Sequence, residues 1–427
     1  MNLEDLKQLL RKKGATEFLY KKLSDNDNSK QQIYLGGSYE ALQSLPIGKI
    51  YAEAGTKRPT FKSTLKMSWL SDDGRICPAP NAKLILYPKY PEIRLSGFLS
   101  GCANAPNKYL QPKTSYERTG SYDGRVLVLC PIKDNIIAYL AISGSSISNY
   151  LSKKIYTGVF GKEPISHINS KKELILTLKK AYQENPHEKV RLFPDGIIRP
   201  YDKKNAAGYT LEAQFGIIPN GSPNPDYNGW ELKCHKDNTI TLMTPQPNGG
   251  LYAELGNREF VNRYGHVAED GGKYFTGPYY CKPSDKFPNR RIHVTGFNPD
   301  EGKEGKITDS SGAIYLMEGD IELASWSFAH ILSHWNQKHN KACYVEYKNY
   351  VEYGKPITKI EFLPNILLCE GTSAIKLIKA ILNNLVYYDP GSKVSANGDQ
   401  KSRSQFRVKF DNLNQLYISS QSYNLAD

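Results

Sequence analysis

Pro225-Asp226-Tyr227-Asn228-Gly229-Trp230-Glu231-Leu232-Lys233, followed by Asn238-Thr239-Ile240-Thr241-Leu242-Met243, reads as turn, strand, turn, strand. Asn228-Gly229 marks the first turn. On a strand, side chains at i and i+2 share one face, so Glu231 and Lys233 project together while Trp230 and Leu232 point the other way. Asp226, placed before the turn, can fold back to meet Glu231. Two carboxylates are hard oxygen ligands suited to Mg²⁺, an ion that keeps waters and also takes phosphate oxygens. A lysine beside them can orient the attacking water or help deprotonate it, since a nearby cation and a metal both lower its pKa. The cluster fits hydrolysis of a phosphodiester. Upstream, Gly208-Tyr-Thr-Leu-Glu212 reads as a short helix with Glu212 early in it. Glu212 is there either a third carboxylate of the same site or a solvent-facing helix residue.

Composition sets the frame for that cluster. In 427 residues, hydrophobic types make up 39% and charged types 23%, enough apolar material for buried cores and too little bias for a disordered chain. The length suggests two or three folded units. Lys plus Arg number 56 against 43 for Asp plus Glu, a formal charge of +13 that points to a polyanionic partner such as nucleic acid. The longest apolar runs, Leu84 to Tyr87 and Ile136 to Ile142, fall far short of the roughly 20 residues of a membrane-spanning helix. Met1 to Gly14 reads as a short amphipathic helix rather than a secretory signal. The seven cysteines are scattered and never form a C-x-x-C pair, which argues against a disulfide framework or a Cys-rich zinc site and points to a reducing cytoplasm.

From Phe18 to about Leu151 the chain reads as short β-rich runs separated by turns: Gln32 to Leu35, Lys83 to Tyr87, Arg125 to Cys130 and Ile136 to Ile142. That pattern favours a barrel or sandwich. The character changes near Ser170, where Ser170-Lys-Lys-Glu173 is a capping box opening the helical run Glu173 to Tyr182. A boundary between Tyr150 and Ser170 follows. The second half reads as α/β, with helices expected from about Leu323 to Gln337 and from Ser373 to Leu385. Asn248 to Gly305, rich in Gly, Pro, Asn and Tyr, reads as loops and short strands. His330 and His334 are four apart on a helix, but no glutamate follows His330 and no third zinc ligand is evident. His235, two residues beyond Lys233, offers a phosphate contact at most. Gly36-Gly37 and Gly249-Gly250 lack the lysine and the strand-to-helix setting of a phosphate loop, so no nucleotide requirement is expected.

The run from Phe193-Pro-Asp-Gly-Ile-Ile198 through Gly208-Tyr-Thr-Leu-Glu212-x-x-Phe-Gly216-Ile to Asp226-x4-Glu231-Leu-Lys233 resembles the MvaI/BcnI restriction endonucleases and their relative MutH. The likeness continues through Ser325 to His339, Ala342-Cys-Tyr-Val-Glu346, and Phe406-Arg407-Val408 to Leu416-Tyr417, covering roughly residues 190 to 420. The resemblance implies a PD-(D/E)XK fold in which Asp226 and Glu231 bind metal, Lys233 positions the water and Glu212 is an auxiliary acid. It also makes Arg403 and Arg407, near the C-terminal F-R segment, candidates for guanine contacts, which arginine makes bidentately. A phosphate contact or a solvated strand position is the other reading of either arginine. Where the family has a His-Gly pair, this chain has Ser402-Arg403-Ser404-Gln405, so its target sequence is expected to differ.

Phe18 to Pro46 resembles the first DNA-recognition arm of the EcoRII-type N-terminal effector domain, a mainly β, B3-like pseudobarrel. Asn26, Asn28, Lys30, Gln31 and Gln32 would there read base edges and phosphates. Tyr87 to Gly97, with Lys89 and Arg94, falls where the second arm would lie. Without the resemblance, these residues are equally a polar surface loop. The expected architecture is therefore a B3-like domain over residues 1–165 followed by an α/β PD-(D/E)XK nuclease domain over 170–427. The expected activity is that of a Mg²⁺-dependent type II restriction endonuclease of type IIE arrangement, a monomer on double-stranded DNA whose N-terminal domain holds a second copy of the site. Two alternatives remain: a MutH-like nickase or modification-dependent endonuclease, and a non-catalytic DNA-binding regulator.

Overall fold

The structure, a computed structural model, describes all residues except 26–30, 37–39, 49, 53–59, 88–91, 133, 157, 166–169, 220–224, 302–304, 310 and 355–357, and a few side chains inside elements. Asn26, Asn28, Lys30 and Lys89 therefore lie outside the described residues. The chain divides into two compact units, Met1–Asn169 and Ser170–Asp427. No described helix is long and apolar enough to cross a membrane.

The first unit is mainly β. Its opening helix, Leu3–Lys12, is closed by a capping box in which the Asn2 side chain accepts from the Asp5 N–H at 2.9 Å and Asp5 accepts from the Asn2 N–H at 3.2 Å. Leu6 and Leu10 on its inner face join Phe18, Tyr20, Val126, Val128, Ile137 and Tyr139 in one core. A six-stranded sheet has the order Gly161–Pro164, Glu17–Ser24, Tyr122–Ile132, Asn135–Ala141, Lys66–Leu70, Ile76–Pro78. A five-stranded sheet has the order Gln32–Tyr34, Glu92–Ser96, Lys83–Tyr87, Phe61–Thr64, Ile50–Ala52. The buried Glu163 carboxylate is held by Lys7 at 2.7 Å and Lys154 at 2.6 Å.

The second unit is α/β. Its elements used below are α1 (Ser170–Gln183), β1 (Val190–Leu192), β2 (Ile198–Pro200), α2 (Ala206–Gln214), β3 (Glu231–His235), β4 (Thr239–Met243), α3 (Gly250–Tyr264), β5 (Ile321–Ser327), α4 (Phe328–His339), β6 (Lys341–Tyr350), β7 (Lys359–Glu370), α5 (Ala374–Leu382), β8 (Val386–Tyr388), β9 (Phe406–Lys409) and β10 (Ser419–Asn424). The central sheet runs from the short strand His187–Glu188 through β7 and β6 to β3, with β10 also against β7. β3 is parallel to β6, in the register Glu231 to Ala342 and Lys233 to Tyr344, and the two are joined by a long crossover ending in α4. Leu174, Leu178, Leu211, Trp230, Leu232, Val345, Phe362 and Leu368 form the core between the sheet and α1 and α2. The odd positions of β3 face the other way. A smaller sheet, β4-β9-β8, continues from the same segment.

Four sequence expectations change. The helix α1 already includes Ser170, and Ser170 and Glu173 do not cap each other: Ser170 Oγ accepts from the Trp230 indole at 3.4 Å and Glu173 accepts from the Asn228 amide at 3.3 Å. The tertiary partner has displaced the local one. Leu323 to Ser327 is strand, not helix, because Ser327 is the N-cap of α4 and accepts from the His330 N–H at 3.3 Å. The segment 248–305 contains the helix α3, whose glycines hide it; Gly256 interrupts it with φ of 72°. Glu212 sits in the last turn of α2 rather than early in its helix.

Candidate active site

The site is built on one tight turn. Tyr227 and Trp230 exchange backbone hydrogen bonds at 2.9 and 2.8 Å, and Asn228 and Gly229 between them have φ of 46° and 85°. Positive φ at both central positions is the geometry that Asn-Gly tolerates best. The turn reverses the chain so that Asp226 returns alongside β3, where its Oδ2 accepts from the Leu232 N–H at 2.9 Å. Trp230, 1% exposed, and Leu232 anchor the strand in the core. Glu231 and Lys233 then share the opposite face, as strand alternation requires.

On that face the Lys233 Nζ lies 2.8 Å from Glu231 Oε1; the glutamate is 3% and the lysine 23% exposed at the side chain. Burial works to lower the pKa of Lys233, but the charge and hydrogen bond of Glu231, with the charges of Asp226 and Glu212, outweigh it and the net shift is upward. The lysine is thus a fixed cation amid three carboxylates. Glu231 and Lys233 touch, Asp226 is joined to them through the strand backbone, and Glu212 reaches Lys233 by charge. Among the described residues no three His, Cys, Asp or Glu side chains converge as a ready metal cage. The donor set is instead a pair of hard carboxylates, Asp226 and Glu231, which suits an ion that keeps several of its waters.

Behind the pair lies a buried polar chain that sequence reading missed. Tyr344, the register partner of Lys233, meets Tyr417 hydroxyl to hydroxyl at 2.8 Å; Tyr417 lies 3.3 Å from His339 Nδ1, and His339 Nε2 lies 2.9 Å from the Leu242 carbonyl. A carbonyl only accepts, so Nε2 carries a proton and donates. The chain ties β4, α4 and β6 together beside the face that carries Glu231 and Lys233. Its only signal in the sequence was a Tyr at an inward strand position.

A family model for the MvaI/BcnI restriction endonuclease family matches residues 178–417. The chain belongs to this family. The family is one of site-specific deoxyribonucleases that generally use divalent metal ions, and the second unit is accordingly a DNA-binding hydrolase domain of PD-(D/E)XK type. Among solved structures, the chain is similar to a complex of the restriction endonuclease MvaI with its cognate DNA substrate, at 16% identity and a TM-score of 0.46, over 61% of this chain and 100% of that one. It is also similar to MvaI in the absence of DNA, at 15% identity and a TM-score of 0.33, over 60% of this chain and 99% of that one. No curated protein matches.

The remaining sequence candidates in this MvaI/BcnI family member fall into three groups. Arg407 is engaged: its Nη1 lies 2.6 Å from Asp389 and its Nε donates to Thr241 Oγ1 at 3.3 Å, so a guanine edge would have to compete with a carboxylate. Arg403 packs its stem over Gly391 and forms no ion pair among the described residues. In the first unit, Gln32 and Arg94 lie on adjacent strands; Gln32 accepts from the Tyr87 hydroxyl at 3.4 Å, and Arg94 pairs with Glu92 at 3.0 Å. Gln31 reaches Gln111 at 3.5 Å. His235 is 9% exposed and stacked on Phe410 at 4.7 Å, and burial lowers its pKa, so it is a packed neutral ring. His330 and His334 meet edge to face at 5.0 Å, with His330 Nε2 2.9 Å from the Gln246 carbonyl.

Proposed function

We propose that this endonuclease hydrolyses DNA with Mg²⁺ held by Asp226 and Glu231, Lys233 as the fixed cation, and Glu212 as the auxiliary acid. The observation that carries the reading is the Glu231–Lys233 contact at 2.8 Å on a strand whose entry is locked by Asp226. When bound, the ion supplies neutralisation of the phosphate charge and acidifies water. Lys233 stays protonated because the surrounding carboxylates raise its pKa, so it acts through its N–H donors. It holds the attacking water against the phosphorus and shares the negative charge that grows on the phosphoryl oxygens. The water gives up a proton as its oxygen bonds to phosphorus, one P–O ester bond breaks, and the departing oxygen takes up a proton, so that one water is consumed per bond cut.

The wider reading is a type IIE arrangement. A catalytic domain over residues 170–427 works as a monomer, cutting one strand and then the other. A B3-like domain over residues 1–165 presents Gln31, Gln32 and Arg94, with Asn26, Asn28, Lys30 and Lys89, to a second copy of the site and raises its local concentration. Arg403 and Arg407 read guanines near the cut, and the setting is a reducing cytoplasm. The test is incubation of the protein with unmethylated phage DNA, with Mg²⁺ or EDTA, and sequencing of the fragment ends. Discrete Mg²⁺-dependent fragments with one shared end sequence are expected. Alanine at Asp226, Glu231 or Lys233 should abolish them while DNA binding persists; cleavage by all three variants would sink the assignment.

A further inference from the structure

One arginine near the site has neither a hydrogen bond nor an ion pair from its guanidinium among the described residues. Arg191 on β1 lies under three aromatic rings, its guanidinium carbon 4.7 Å from the centre of Tyr209, 5.2 Å from Phe193 and 5.8 Å from Tyr201. Its Nε is buried with no hydrogen-bond partner, and the two terminal nitrogens, which are not buried, have none either. The rings fix the plane of the guanidinium while leaving its N–H donors unspent. Directly opposite in the β1–β2 register stands Arg199, whose guanidinium lies 5.1 Å from the centre of the same Phe193 ring. Like charges facing each other across a hairpin repel. Arg199 is relieved by Asp195 at 2.6 Å; Arg191 is not. Exposed Lys203 and Lys204 follow before α2. A rigid, unpaired fork beside further cations matches a phosphate group, which arginine takes with two parallel hydrogen bonds.

The position relates this fork to the catalytic cluster. Val190, next to Arg191, donates its N–H to Thr210 Oγ1 at 3.0 Å, which fastens β1 to α2. Tyr209 of the cage and Glu212 are three apart on α2 and so neighbours on one helix face. We propose that Arg191 is a clamp for a DNA backbone phosphate flanking the scissile one, with the aromatic cage as its rigid mount. This rests on the reading of Glu212, Asp226, Glu231 and Lys233 as the cleavage site.

The test measures binding of the full-length chain to an unmodified DNA duplex of arbitrary sequence in EDTA, so that cleavage plays no part, over a range of KCl concentrations. One phosphate contact contributes about 0.9 to the slope of log K against log salt. Arg191→Gln should lower the slope by about that amount and weaken binding about eightfold near 0.1 M salt, by the same factor for every sequence. Arg191→Lys keeps the charge and should keep the slope, while losing several-fold in affinity because the fork is gone. An unchanged slope in folded Arg191→Gln overturns the clamp. Should that variant not fold, Arg191→Lys decides: binding as tight as the parent overturns the fork contact. Because no cleavage is read, cutting by the Asp226, Glu231 and Lys233 variants would undo the catalytic reading while leaving this result standing as a DNA contact.

Discussion

Replacing Lys233 by Met tests the proposed catalytic pair, Glu231 and Lys233, through stability and activity at once. The 2.8 Å contact corresponds to about 6 kcal/mol of attraction at an effective dielectric of about 20, most of it offset by the desolvation of two charges. What matters is the state left behind, a Glu231 that is 2% exposed and has lost its cation. Breaking one side of a buried pair costs about 3 to 5 kcal/mol, and the partial exposure of the lysine places this case at the lower end, about 3 kcal/mol. For a unit of this size that is a fall in melting temperature of about 6 to 12 °C. Scanning calorimetry in EDTA reads it. Added Mg²⁺ should return part of the loss, since an ion on Glu231 replaces the missing counter-charge. The double variant with Glu231→Gln should be more stable than Lys233→Met alone, and with Glu231→Gln alone completing the cycle it gives the coupling energy of the pair. Cleavage should fall by about a thousandfold or more. A melting temperature within about 1 °C of the parent together with retained cleavage would refute the pair as both a buried contact and a working one.

Three further outcomes follow from the same geometry. Gly229→Ala meets no atom within 4 Å of the new Cβ, so its cost is the φ of 85° alone, about 1 kcal/mol in calorimetry, yet cleavage should drop more than stability because the turn sets Asp226 against Glu231. His235 has a pKa below its ordinary value because it is buried, so on acidification the unfolded chain takes up the proton first; stability should fall as pH drops below about 6.5, and His235→Leu should show a shallower fall in melting temperature over that range. Glu163→Ala leaves Lys7 and Lys154 facing each other at a buried site and should destabilise the first unit by about 3 kcal/mol, seen as an earlier unfolding transition, while Mg²⁺-dependent cleavage at low temperature persists.

The strand that carries Glu231 and Lys233 was legible because every cue in it is local. Asn228-Gly229 forces the turn, Trp230 and Leu232 demand a core, and the period of two then places Glu231 and Lys233 together. The mainly β character of the first unit was legible for the same reason, from short apolar runs bounded by turns, such as Ile136 to Ala141, whose six positions are all buried. Errors arose where a tertiary partner outbids a local rule. Ser170 and Glu173 satisfy the letter of a capping box, but the indole of Trp230 and the amide of Asn228 claim them. Leu323, Ala324 and Trp326 suit a helix as well as a strand, and only pairing with the preceding strand Ala313–Glu318 selects the latter. The helix α3 was concealed by Gly250 and Gly256, whose positive φ values mark its start and its break. Arg191 could not be found in the sequence at all, since its rings lie just beyond β1, just beyond β2 and on α2 and meet only when the hairpin closes on the helix.

The placement of β3 bears on how a short motif would carry the proposed chemistry. In the described sheet β3 has one strand neighbour, β6, so its other edge presents backbone groups that a central strand would have spent. Asp226 takes up one of them, the Leu232 N–H, and in doing so is held beside the strand it serves. The same residue thus protects an exposed edge and positions a carboxylate. Moving the turn by a single residue would invert the strand, turning Glu231 and Lys233 into the core and Leu232 toward the substrate. The five-residue spacing between Asp226 and Glu231 is therefore a structural constraint before it is part of the proposed chemistry, and an insertion of one residue at Gly229 should abolish cleavage more completely than alanine at Glu212, whose charge acts on Lys233 from a separate helix.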